Sequence, residues 1–115
     1  MMRRGLLLAA GLAAGLSLRG GAAEAETLMQ KAERWGEVHA AAIYCHRPDS
    51  DAFGRAAMSY LRRHASSTAQ FNRLRDAYGV RAVSLALKPP SRAAGGSCFG
   101  FSRVYSDIWS ILRGG

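Results

Sequence analysis

The chain is expected to form an all-α domain: a small helical bundle of about four helices, the first and last antiparallel and joined by a disulfide, preceded by a cleavable signal peptide. Three observations lead there. Apolar residues recur at three-and-four spacing through most of the sequence beyond residue 26, no two alternating stretches offer each other a sheet partner, and two cysteines stand 53 positions apart on apolar stripes. A length of 115 residues leaves room for one domain. With 49% hydrophobic and 21% charged residues the chain is not compositionally disordered, so a small packed core follows.

The first 25 residues have the layout of an export signal. Arg3 and Arg4 lead a Gly/Ala/Leu run from Gly5 to Leu18, and the stretch from Arg19 to Ala25 turns polar and small. That run of 14 residues is too short to anchor the chain, since as a helix it extends only about 21 Å against a hydrocarbon core of roughly 30 Å. Ala23 and Ala25 meet the small-residue requirement for cleavage after Ala25, and Gly21 with Ala23 offers a site after Ala23. No Cys follows either site, so lipid attachment is not expected. The reading is a signal peptide at 1–25 and one helical domain at 26–115, in a periplasmic or secreted protein without a transmembrane anchor.

Within that domain Leu28, Trp35, Val38, Ala42 and Cys45 share one helical seam, Thr27 and Gln30 form a capping box, and Arg47-Pro48 ends the helix, giving 27–46. Asp49, Ser50 and Asp51 offer caps for a second helix carrying Phe53, Ala57, Tyr60, Leu61 and His64 and ending near Ala65. Ser66, Ser67 and Thr68 cap a short third one with Phe71, Leu74 and Tyr78, closed by Gly79 in a C-terminal left-handed position. Val80–Leu87 fits a strand or a helix, and helix is favoured because nothing else is available to pair with a strand. Pro89-Pro90 and Gly95-Gly96 make Lys88–Ser97 the longest loop. Cys98, Phe101, Tyr105, Ile108 and Leu112 then trace the strongest amphipathic helix, widened by Val104, Trp109 and Ile111.

In an exported chain two cysteines on core faces read most simply as a Cys45–Cys98 disulfide. Closing a loop of roughly 54 residues stabilises by about 4 kcal/mol in the chain-entropy description. It also places the exit of the first helix beside the entrance of the last.

Signals for chemistry are sparse. Cys45-His46 resembles the end of a c-type haem attachment motif, with Met58 as a second ligand, but the first cysteine of that motif is absent. His39 and His46 lie seven apart with His64 on the next helix, which supports a small envelope enzyme or a metal or haem carrier as the alternative reading. No HExxH, nucleophile elbow or phosphate-cradling loop is present. Asp49 and Asp51 are accounted for by capping. No enzyme, metal or cofactor is therefore expected.

Residues 26–115 hold eleven Arg and two Lys against seven carboxylates. Arg55, Arg62, Arg63, Arg73, Arg75 and Arg81 concentrate that charge in the middle third, where they suit an anionic partner: an acidic protein, phospholipid headgroups or a cell-wall polymer. Nucleic acid is not expected, because aromatics do not interleave with the arginines as a stacking platform requires. Phe99, Trp109 and Ile111 extend the apolar face of the last helix and leave room for a homodimer contact.

In leader, size and cysteine placement the chain resembles small periplasmic two-cysteine helical proteins, among them acid-stress chaperones and immunity proteins that block cell-wall amidases. The expectation is a non-enzymatic protein-binding module.

Overall fold

Helix formation follows the periodicity closely. The computed structural model describes residues 26–114, which form α1 (Leu28–Tyr44), α2 (Ser50–His64), α3 (Thr68–Leu85), a 3-10 turn (Arg92–Ala94) and α4 (Cys98–Gly114). No strand occurs among the described residues. The expected signal peptide at 1–25 lies outside them.

Each helix end has a local cause. At the start of α1 the Thr27 hydroxyl accepts the Gln30 N–H at 3.0 Å and the Gln30 side-chain oxygen accepts the Thr27 N–H at 2.9 Å, the expected capping box. Its other end departs from the sequence reading. The helix stops at Tyr44, ahead of Arg47-Pro48, because His46 turns left-handed (φ 59°). The Arg47 N–H then returns to the Ala42 carbonyl at 2.8 Å and the His46 N–H to Ile43 at 3.1 Å, a Schellman closure with His where Gly is usual.

Asp49 occupies the N-cap position of α2, but its side chain does not cap. The Tyr105 hydroxyl of α4 donates to its Oδ1 at 2.8 Å, so the carboxylate ties two helices together. The largest correction is in α3, which Gly79 does not close. The helix continues through Gly79 to Leu85, so Val80–Leu85 is helical as favoured, and Ala86 is its C-cap. One glycine within a helix costs only about 1 kcal/mol, which the packing of Phe71, Leu74 and Tyr78 upstream offsets.

Trp35, Val38, Phe53, Leu61, Leu74, Phe101 and Ile108 are the large side chains of the core, all essentially without solvent contact. Trp35 meets Tyr60 edge-on, and Phe53 packs against Tyr105 and Trp109. The Trp35–Tyr60 and His39–Phe53 pairs set α1 against α2 in opposite directions. Asp49–Tyr105 and Phe53–Trp109 advance together, so α4 runs with α2 and against α1. The most extensive helix contact, however, is α1 with α3. Gly36 permits it: a Cβ there would collide with the Tyr78 carbonyl and lie 3.0 Å from the Arg81 Cβ.

The Cys45–Cys98 disulfide is formed, with Cα atoms 5.7 Å apart. Only one of its two cysteines lies on a core face as expected, since Cys45 packs against the core and Cys98 does not. Cys98 is exposed and Cys45 half-buried, because the bond clips helix ends that already border solvent. The long loop is also more ordered than its prolines and glycines suggest. Pro90 and Ala94 are buried, the Gly96 N–H donates to the Ser91 carbonyl at 2.8 Å, and the Ser91 hydroxyl donates to Glu37 of α1 at 2.7 Å.

Candidate functional site

A cleft of about 670 Å³ opens between α2 and α3 with α1 at its base. Two glycines help to hollow it. A Cβ at Gly54 would stand 2.7 Å from the His39 ring, so only glycine lets the imidazole reach this level, and Gly79 leaves the opposite wall without a side chain. Met58 and the Tyr78 ring supply apolar surface, and Ser59 and Asp51 add polar groups.

At the base His39 Nδ1 lies 2.6 Å from the Tyr78 hydroxyl. Burial lowers the imidazole below its ordinary 6.5, while the Asp51 charge pulls the other way. Burial, helped by Tyr105, pushes the Tyr78 phenol up, so it retains its proton at neutral pH. A neutral imidazole protonated at Nε2 can therefore accept a hydrogen bond from the phenol at Nδ1, and the pair is neutral as a unit.

Three arginines line the cleft: Arg55 and Arg62 from α2 and Arg75 from α3. The Arg62 guanidinium lies 4.1 Å from the centre of the Phe71 ring and that of Arg75 lies 6.0 Å from the same ring. Two like charges from different helices thus converge on one aromatic ring. Among the described residues Arg55 and Arg62 form no ion pair, and Arg75 has only the exposed Asp76 at 3.6 Å.

The other three arginines singled out in the sequence go elsewhere. Arg81 is held by Glu37 and Glu33 of α1. Arg63 donates to Ser59 and lies over Tyr60, and Arg73 is an exposed residue outside the cleft lining. Nor do the three histidines meet. His39 is in the cleft, His46 forms the turn after α1, and His64 stacks on Tyr60 at 4.0 Å in the last turn of α2. No group of three His, Cys, Asp or Glu that could hold a metal ion is found among the described residues.

Sequence reading found the arginines but missed the His39–Tyr78 pair, which joins positions 39 residues apart on different helices. Gly54 was the available signal, since an isolated glycine inside a helical pattern often marks a close approach. No protein family model, curated protein or solved structure matches the chain.

Proposed function

We propose that this is an exported, non-enzymatic binding module whose α2/α3 cleft takes an acidic segment of another protein. The observation that carries this reading is the convergence of Arg62 and Arg75 on Phe71, with Arg55 lining the same cleft. Holding like charges together costs energy in the absence of a ligand, and a carboxylate between them recovers it through charge-assisted hydrogen bonds. Apolar surface from Met58 and Tyr78 beside the cations suits a peptide with acidic and apolar residues better than a uniformly polar polymer. Asp51 repels an anion locally and so favours one orientation of the segment.

Export is supported by the leader-like layout of residues 1–25 and by the disulfide. No helix among the described residues is long and apolar enough to cross a membrane. Intact-mass measurement of natively isolated protein should give a chain beginning at residue 24 or 26, two mass units light for the disulfide.

Binding is tested by calorimetric titration with a synthetic peptide alternating Glu and Leu, against the same peptide with Gln for Glu. The acidic peptide should bind, more weakly as salt rises, and R62E/R75E should weaken it about tenfold or more. Equal binding of the Gln peptide, or unchanged affinity in the charge-reversed variant, refutes the assignment.

A further inference from the structure

The disulfide end of the molecule presents a second surface, built from residues the cleft does not use. Leu87, just beyond α3, is 92% exposed, and Phe99, in the first turn of α4, is 93% exposed. Ile43 and Tyr44, the last residues of α1, are exposed as well and line one shallow depression with Leu87 and both cysteines. The fold has no use for these side chains: the core closes through Trp35, Phe53 and Phe101 without them. A single exposed apolar residue is ordinary, but several around one fixed point make a patch.

The segments that build this patch carry charge of one sign. Segments 38–48 and 77–106 contain no Asp or Glu, yet they carry Arg47, Arg81, Lys88, Arg92 and Arg103. Lys88, Arg92 and Arg103 are exposed. Of the carboxylates that border these segments, Glu37 is held by Arg81 and Ser91, Asp49 accepts from Tyr105, and Asp107 lies about two turns along α4 from Phe99.

That pattern selects among occupants. A second copy related by a two-fold axis would bring the same cations face to face without a compensating carboxylate. An anionic bilayer surface satisfies both features together. Leu and Phe enter the headgroup–acyl boundary, where their exposure no longer costs hydration, while Lys and Arg stay level with the phosphates.

We propose that the disulfide end docks on an anionic lipid surface, with Leu87 and Phe99 inserted and Lys88, Arg92 and Arg103 holding lipid phosphates. The disulfide serves this by fixing the α1 and α4 ends, so that the apolar side chains approach the membrane as one preorganised face.

The disulfide-bonded protein is sedimented with large vesicles of phosphatidylcholine alone or of phosphatidylcholine mixed with phosphatidylglycerol. It should pellet with the mixed vesicles only, and less as salt rises. L87S/F99S should abolish pelleting and K88E/R92E should reduce it roughly tenfold, whereas R62E/R75E in the cleft should pellet like the parent. Far-UV circular dichroism verifies that each variant keeps its helices. Absent pelleting, equal pelleting with both lipids, or pelleting of L87S/F99S at the parent level overturns the proposal. So does a concentration-dependent dimer that F99S dissociates and that binds neither vesicle, which assigns the face to a second copy.

Discussion

His39 shows how much one side chain's surroundings decide. On α1 it could have been a surface histidine, but Gly54 admits its ring to the cleft base and Tyr78 receives it. Because burial depresses its pKa, the folded chain binds its proton less readily than the unfolded chain does. The stabilisation from this group is fully present above the unfolded value of about 6.5 and is lost as pH falls toward the lower folded value. The urea midpoint of the parent should therefore fall between about pH 7 and pH 5 more steeply than that of His39→Gln. Parallel midpoint curves for the two proteins would show that the imidazole contributes no such coupling. At the end of the same helix His46 illustrates the opposite case: its left-handed backbone costs about 1 kcal/mol relative to glycine, and two returning backbone hydrogen bonds compensate.

At the scale of the helix, Gly79 and Gly36 look alike in the sequence and differ entirely in role. Gly79 lies mid-helix with open space where a methyl group would stand, so Gly79→Ala should stabilise by about 0.5–1 kcal/mol. A helix terminated at that glycine would respond with the opposite sign. Gly36→Ala drives a methyl into the Tyr78 carbonyl and should destabilise by about 1–3 kcal/mol as α1 and α3 are forced apart. Thermal unfolding of the two variants beside the parent checks both signs. The helices themselves were legible because their apolar periodicity is strong and their caps are local. The continuation of α3 was not, since Gly79 carries a stop signal that upstream packing overrides.

For the molecule as a whole, the disulfide is the one covalent link, besides the backbone, between the α1–α3 body and the α4 end. Reduction should cost about 4 kcal/mol, a large share of the 5–15 kcal/mol typical of a domain. Urea unfolding with and without a phosphine reductant measures it, and a midpoint unchanged on reduction would mean that packing alone holds α4. The same whole-molecule view sorts the basic excess into two regions, the α2/α3 cleft and the disulfide end, where segments 38–48 and 77–106 carry no Asp or Glu. Composition reports only their sum.

Local order determined what the sequence could show unaided: helix positions, the Thr27 cap and the pairing of the only two cysteines all depend on neighbouring residues or on simple elimination. Tertiary packing alone decided which arginines keep their charge available, that His39 meets Tyr78, and that Asp49 binds Tyr105 instead of capping its helix. Those outcomes depend on distances between residues far apart in the chain, and a side chain's partner and hydration are set by what folds against it.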